Sequence, residues 1–338
     1  MCLDLFADGD DFTSNTIDKN RNRYDQQQLV NQIQSQTTGI LTLVTKSLQI
    51  HLNHGQSRRI NSSSVYVSIE SISTGSLSSR VIRSIENTYM RLPFNMTLAS
   101  GNATSAVLLQ SVVQPLAVSD DLRSQANTNL SRSVSLSIVD ADGNETAVRV
   151  TSDHPIELII PRDPNLVLPP MTLQNVSSKY TVAPNSQTYN LHYVNLVSQA
   201  SSAALHFEMR PSNASLGYLL IYRFDSSPQL NRSTSLIDGW TRFCPSNETL
   251  YTYFLNNQQT SDHKSIVFGL REMNAVEMSQ LCGSSASINA SLPTSNDPFV
   301  FSANYALRTY RSSCYYLSAS NTWTTDGLVV SGSLSFHP

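Results

Sequence analysis

The sequence predicts an α+β protein that is mostly β, with a small N-terminal helical subdomain followed by an antiparallel β-sandwich. Three observations lead to this class. The long stretch with apolar residues at helical spacing lies near the N-terminus, between Tyr24 and His54. Beyond it the apolar period changes to two, in many short runs separated by turn residues. Charged residues make up only 14% of the 338 residues, against about 25% in an average globular chain. Ser, Thr, Asn and Gln take their place, a balance that suits an extracellular β-rich protein better than a cytosolic enzyme. Helices first and strands afterwards is the order of a segregated α+β fold, not of alternating elements around a parallel sheet.

Residues 1–23 are polar and without pattern and read as a linker. Leu29, Ile33, Ile40, Val44 and Leu48 then recur at helical spacing. Gly39 interrupts the helix, and Gly55 stands where a C-terminal cap belongs, because glycine accepts the left-handed conformation such caps use. Residues 77–90 are expected to add a short second helix. Residues 24–100 therefore read as a helical subdomain with short strands, and residues 101–338 as the sandwich.

Strand patterns begin at Val65, Val67 and Ile69, which alternate with Tyr66 and Ser68. Val134, Leu136 and Ile138 alternate with serines, and Val148 and Val150 resume after the Asp142-Gly143 pair, a strong hairpin signal. Further strands are expected at 156–160, 188–197, 204–210, 216–224, 250–255, 265–270, 298–310 and 314–317. The aromatic rows Tyr218, Ile221, Tyr222 and Tyr251, Tyr253, Phe254 read as sandwich core and edge rather than as a ligand platform.

Several function classes are excluded by what the chain lacks. Its net charge is −3, with no basic stripe for nucleic acid and no Lys/Arg cluster for an anionic membrane. No run of about 18 apolar residues spans a bilayer. The N-terminus, "MCLDLFADGDDF", has no charged-then-apolar leader. The chain is thus read either as soluble inside the cell or as a piece of a longer exported one. No G-x-S-x-G, paired catalytic carboxylates, GxxxxGK or GxGxxG is present, so no catalytic residue and no cofactor is assigned. "DADGNE" has its glycine at the fourth position rather than the sixth of a calcium loop, and His51 and His54 lack a third ligand, so no metal is assigned either.

Four cysteines occur, without a CxxC: Cys2, Cys244, Cys282 and Cys314. Cys244 and Cys282 lie in one continuous region and are the preferred disulfide, with two buried thiols as the alternative. Ten Asn-X-Ser/Thr acceptors stand at Asn61, Asn95, Asn102, Asn129, Asn144, Asn175, Asn213, Asn231, Asn247 and Asn289. Chance supplies roughly six in so Ser/Thr-rich a chain. The modest excess favours glycosylation.

Near the C-terminus, "CYYLSASNTWTTDGL" resembles the first half of the proteolysis (GPS) motif carried by adhesion receptors and polycystins. Cys314, Tyr315, Tyr316, Trp323 and Gly327 match the cysteine, aromatic pair, tryptophan and glycine of that motif. Leu328 follows the glycine where adhesion receptors place a second cysteine, a departure shared with polycystin-1 and its relatives. "LHFEMRPSNASLGYLLIYRFDSSP", "LYTYFLNN" and "TAVRVTSDHPIELIIPRDPN" are similar to polycystin segments in the same order. The resemblance covers most of residues 24–330.

What the resemblance implies is an autoproteolysis-inducing (GAIN) domain: a helical GAIN-A-like part over 24–100 and a GAIN-B-like sandwich over 101–338 that ends in an incomplete GPS motif. It implies a non-enzymatic extracellular scaffold and interaction domain of a polycystin-1-like receptor, from a family tied to calcium-permeable channel complexes and mechanosensing. Implied partners are proteins, among them a channel-forming polycystin. The implied place is the extracellular face of the plasma or ciliary membrane, or outside the cell if the piece is made alone. The family's cleavage uses a histidine as general base two positions before a Thr or Ser nucleophile. Here "SGSLSFHP" offers no such pair. The other reading is an independent secreted β-sandwich that binds carbohydrate or protein. In either case the purified chain is expected to stay intact on incubation, and a split into two fragments near residue 330 contradicts this.

Overall fold

The computed structural model describes residues 51–61, 66–77, 81–83, 89–98, 106–114, 133–139, 146–151, 153–160, 168–176, 179–180, 189–196, 203–230, 235–246, 249–283, 300–301, 303–314, 316–317, 323–325 and 327–330, together with the single helical positions Gln32, Gln36, Ile40, Leu43 and Ser47. The described residues are mostly β, and every strand pairing among them is antiparallel. Packing divides the chain into two compact units, Met1–Leu166 and Val167–Pro338.

The first unit contains β1 (Ser57–Asn61), β2 (Tyr66–Ser73), β3 (Val81–Arg83), β4 (Tyr89–Arg91), β5 (Thr97–Leu98), β6 (Ala106–Gln114), β7 (Ser133–Val139), β8 (Val148–Arg149) and β9 (Glu157–Ile159). They form the sheets β1-β2-β6-β7, β3-β4-β9 and β5-β8. The sequence placed a boundary at residues 100 and 101. Strands β6, β8 and β9 instead pair back onto β2, β5 and β4, which binds the stretch up to residue 159 into the first unit. Its core gathers Ile72, Leu77, Met90, Leu92 and Ile138.

The helix expected at 77–90 is not formed over its described part. Val81–Arg83 and Tyr89–Arg91 pair as strands, and β9 completes the sheet, so long-range pairing overrides the local pattern. In the expected N-terminal helix Gln32, Gln36, Ile40, Leu43 and Ser47 are helical and exposed, while residues 51–54 are not helical. Ile40, assigned to its apolar stripe, is 61% exposed. Gly55 has φ +78°, the left-handed value foreseen for a cap, and its N–H reaches the Ser71 carbonyl at 2.8 Å. The Asp142-Gly143 turn lies outside the described residues.

The second unit runs β10 (Thr172–Gln174), β11 (Lys179–Tyr180), β12 (Asn190–Asn195), β13 (Ala204–Pro211), β14 (Tyr218–Phe224), β15 (Gln229–Leu230), β16 (Ser235–Leu236), β17 (Gly239–Phe243), β18 (Tyr251–Leu255), α1 (Asn257–Thr260), β19 (Ser265–Glu272), α2 (Ala275–Cys282), β20 (Val300–Phe301), β21 (Tyr305–Ser312), β22 (Tyr316–Leu317) and β23 (Trp323–Thr324). Two four-stranded sheets dominate: sheet A, in the order β10-β21-β13-β18, and sheet B, in the order β12-β19-β14-β17.

One apolar cluster draws on both sheets. Leu205, Phe207, Met209, Tyr251, Tyr305 and Leu307 enter it from sheet A, and Tyr218, Leu220, Tyr222, Ile266, Phe268 and Leu270 from sheet B. The rings of Phe207 and Phe268 meet at 4.8 Å. In β13 the alternation is plain, with Leu205, Phe207 and Met209 inward and His206, Glu208 and Arg210 on the opposite face. In β14, "YLLIYRF", it disappears, because Leu219 and Ile221 enter a second apolar cluster with Tyr189, Leu230, Met273 and Leu281. A sheet covered on both faces needs apolar residues at consecutive positions.

The cover is α2. Asn274 and Glu277 form a reciprocal capping box at its start, satisfying two backbone donors that helix geometry leaves open. Glu277 also makes a bidentate ion pair with Arg271 of β19, at 2.7 and 2.6 Å, and the two side chains are 1% and 0% exposed respectively. The Arg271 guanidinium lies 5.4 Å from the Tyr189 ring centroid, a cation–π arrangement. Burial acts to lower the Arg271 pKa, but the Glu277 hydrogen bond and the charges of Tyr189 and Glu277 outweigh it and hold it above its ordinary value. Gly269 gives Tyr189 room to cross the strand: a Cβ there would stand 3.1 Å from Tyr189 Cβ and 3.0 Å from Ile221 Cγ1. At its far end α2 is tied to the residue after β17 by the Cys244–Cys282 disulfide.

Removing one charge of this pair strands the other in the core. Glu277→Gln is expected to destabilise the unit by about 3–5 kcal/mol, while the double change Arg271→Met with Glu277→Leu costs far less or nothing. Urea denaturation of the three proteins checks the order.

Candidate functional site

The part of the second unit that the sequence singled out is its C-terminal motif, and the structure builds it from β21 onward. Cys314 follows β21 and is exposed and unbonded. Tyr316 and Leu317 in β22 pair with Thr324 and Trp323 in β23. Tyr316 is 41% exposed; Tyr315 lies outside the described residues. Gly327 has φ +76°, a conformation that a side chain disfavours, and the Leu328 N–H closes the turn onto the Thr325 carbonyl at 3.0 Å. Glycine adopts this conformation at no steric cost.

The segment after that turn is held by a residue with no earlier assignment. Asn257, 3% exposed at the start of α1, donates from Nδ2 to the Leu328 carbonyl and accepts the Val330 N–H on Oδ1, each at 2.8 Å. A carboxamide carries one donor side and one acceptor side, so it reproduces a rung of a β-ladder with an extended chain. Asn256 and Gln259 cap α1 reciprocally and fix its entry. Thr260 Oγ1 donates to the Ala203 carbonyl at 2.6 Å. One helical turn thereby joins the end of β18, the start of β13 and the chain's last described residues. "LYTYFLNN" displayed Asn257 to the eye, but the partner lies more than seventy residues away, in a segment whose backbone groups no sequence pattern marks.

Other polar groupings are self-contained. On the outer face of sheet A, His206 stacks on Tyr310 at 4.5 Å and meets the Phe254 ring edge to face at 4.9 Å. Burial lowers the His206 pKa. Its Nε2 shares a 2.8 Å hydrogen bond with Ser312 Oγ. A Ser–His pair invites a hydrolase reading, but the nearby carboxylate, Glu208, is committed to Arg308 at 2.6 Å and to the Tyr310 hydroxyl at 2.8 Å. The pair also stands on neighbouring strands of one ladder, with His206 opposite Tyr310 and Ser312 opposite Ala204.

At the other sheet, Asp225 (φ 56°) continues from β14 and accepts from His263 Nδ1 at 2.8 Å and from the Lys264 and Ser265 N–H groups at 2.8 and 3.0 Å. The His263 hydrogen bond, followed by that of Ser265, holds the Asp225 carboxyl below its usual range. The grouping ties the loop before β19 to the end of β14. Among the described residues no set of three His, Cys, Asp or Glu side chains is placed to hold a metal ion. His51 and His54 are exposed.

The preferred disulfide, Cys244–Cys282, is formed, with Cα atoms 5.5 Å apart. Tyr218, Tyr222 and Tyr251 lie in the shared core, Tyr253 packs against it, and Ile221 lies in the core under α2. Asn61 belongs to β1. Asn95 is half-buried, while Asn175 and Asn213 are exposed. Asn102, Asn129, Asn144, Asn231, Asn247 and Asn289 lie outside the described residues. Among the described residues no helix is long and apolar enough to cross a membrane.

No protein-family model matches the chain, and no curated protein does. Among solved structures it is similar to a glycoside hydrolase family 43 arabinoxylan arabinofuranohydrolase from Bacillus subtilis in complex with cellotetraose, at 10% identity and a TM-score of 0.22, over 76% of this chain and 53% of that one. It is also similar to the Clostridium perfringens delta-toxin, at 8% identity and a TM-score of 0.08, over 75% of this chain and 80% of that one. Likenesses this slight carry no argument about fold or function.

Replacing Asn257 by Ala breaks both bonds to the 328–330 segment. The expected result is a loss of about 1–3 kcal/mol, with faster hydrogen exchange at the Val330 amide and new proteolytic cutting after Gly327. Asp at the same place keeps the acceptor for Val330 but faces the Leu328 carbonyl with an oxygen, and is expected to rescue neither readout.

Proposed function

We propose that the chain is a non-enzymatic extracellular scaffold and interaction module, its second unit a disulfide-braced β-sandwich of GAIN-like type belonging to a polycystin-1-like receptor. The observation that carries the extracellular part is the Cys244–Cys282 disulfide, which clamps α2 over sheet B. Such bonds persist in oxidising compartments and are rare in the cytosol. The low share of charged residues points the same way.

The receptor part is supported by the C-terminal motif. Cys314, the β22–β23 hairpin and the left-handed Gly327 fall in the order and spacing of the first half of a proteolysis motif. Supporting a non-catalytic role, Glu208 is spent on Arg308 and Tyr310 and is not available to His206. The work assigned to the module is mechanical and associative: it holds shape, carries the chain onward from the Asn257 clamp, and presents surface to protein partners, a channel-forming polycystin among them. Its place is the extracellular face of the plasma or ciliary membrane.

The test is to secrete the chain behind an added signal peptide and mix it with the extracellular domain of a channel-forming polycystin. Expected are an oxidised Cys244–Cys282 pair, a loss of about 4 kcal/mol of stability on reduction, and co-elution of the two proteins. Failure to associate removes the receptor reading and leaves an independent secreted module. A pair that stays reduced after secretion removes the extracellular reading itself.

A further inference from the structure

Ten acceptor asparagines are too many to treat alike, and the structure separates those it describes. Asn95 directs Nδ2 to Thr151 Oγ1 at 2.9 Å, and its Oδ1 is buried. Asn213 is the opposite case. It lies on the exposed turn between β13 and β14, and its Oδ1 accepts both the Ser215 N–H, at 3.0 Å, and the Ser215 hydroxyl, at 2.7 Å. The amide oxygen is thus tied down by the very hydroxyl that the acceptor rule requires. Its Nδ2 has no partner among the described residues. Asn175, also exposed, directly follows β10, and its side chain has no partner among them either.

These two asparagines are neighbours in the fold. Gln174, Tyr305 and Pro211 stand in register across β10, β21 and β13 at one end of sheet A. Asn304, just before Tyr305, accepts the Val176 N–H on Oδ1 at 2.9 Å and the Ser212 N–H on its carbonyl at 3.1 Å. One residue therefore pins the backbone beside each acceptor. The opposite end of the sheet, where Ala204 faces Ser312, is the end from which the C-terminal motif departs. Along β13 the ends are about 23 Å apart.

We propose that Asn175 and Asn213 are the N-glycan acceptors of this end of sheet A, and that Asn95 carries no sugar. This rests on the extracellular reading above. The donor is a polyprenyl-pyrophosphate oligosaccharide. Nδ2 attacks the anomeric carbon, a C–N bond forms, the C–O bond to pyrophosphate breaks with its electron pair leaving on phosphate, and the transferase takes the amide proton. The sugar on Asn175 has a physical consequence. β10 is the edge strand of sheet A among the described strands, and it exposes Leu173 at 58%. An open edge with an apolar side chain invites pairing with another chain, and a hydrated bulky group beside it prevents that approach. Glycans at this end leave the opposite end, with the Asn257 clamp, open to protein contact.

The experiment secretes the full chain from a eukaryotic cell and releases N-glycans with a glycan-releasing amidase in heavy-oxygen water, which hydrolyses the side-chain amide and leaves a labelled aspartate at each occupied site. Peptide mapping is expected to find label at residues 175 and 213 and none at 95. The Asn175→Gln protein is expected to self-associate more than the Asn213→Gln protein in light scattering. Label at Asn95, or its absence at 175 or 213 while other acceptors are labelled, overturns the assignment and leaves the extracellular reading standing. A secreted, oxidised chain with no label anywhere overturns the assignment alone. A chain that is retained, reduced and unlabelled overturns both. Equal association of the two variants overturns the shielding role.

Discussion

The buried ion pair between Arg271 and Glu277 is the constraint on which the second unit depends. Two full charges withdrawn from water are tolerable only when each finds strong compensation nearby. Arg271 finds it in both Glu277 oxygens, in the Glu272 carbonyl at 3.0 Å and in the Tyr189 ring. Glu277 finds it in the guanidinium and in the backbone N–H of Asn274. One carboxylate thus starts a helix and anchors it to the sheet below. The helix cannot rotate or slide without breaking its own cap, so its apolar face, Leu281 with Met278 at its side, is locked over Leu219 and Ile221. The disulfide at the other end acts on the same element and narrows the unfolded ensemble.

From that anchor follows an asymmetry between the sheets. The central strands of sheet B, β14 and β19, are covered on both faces, which is why they are apolar almost without interruption, while its edge strand β12 leaves Leu191 and Tyr193 exposed. Sheet A is dry on one face, and the other carries a partly solvated ladder in which Glu208, Arg308, Tyr310, His206 and Ser312 satisfy one another. Such a ladder fixes the register of β13 against β21, since slipping by one residue would carry the charged side chains into the shared core. The chemistry that resembles a catalytic pair is spent on this task. The C-terminal segment uses a different economy: a single buried carboxamide stands in for a neighbouring strand.

Much of this was legible from local pattern. Short apolar patterns bounded by turn residues placed β7, β9, β12, β13, β14, β18, β19, β21 and β22 within a few residues, as alternation where one face is wet and as a continuous apolar run in β14 and β19. Positive φ at Gly55 and Gly327 is a conformation that glycine takes without steric cost. Residues 77–90 show the limit. Their described parts pair with each other and with Glu157–Ile159, far along the chain, and that partner leaves no mark on the local spacing. Arg271, a charged residue in a strand, gives no local sign of being wholly buried; only the position of Glu277 above it, six residues on, makes that burial affordable.

The sequence by itself determined that the chain is mostly β, and placed many of its strands and its turn glycines, since each depends on neighbours within a few residues or on the chemistry of one residue type. Tertiary structure alone decided where the units divide, that α2 covers sheet B, that Asn257 grips Leu328 and Val330, and that Asn175 and Asn213 share one end of a sheet. These are meetings of residues distant along the chain. They are selected by the joint free energy of burying surface and satisfying every polar group it encloses, a sum over the whole fold that no window of sequence contains.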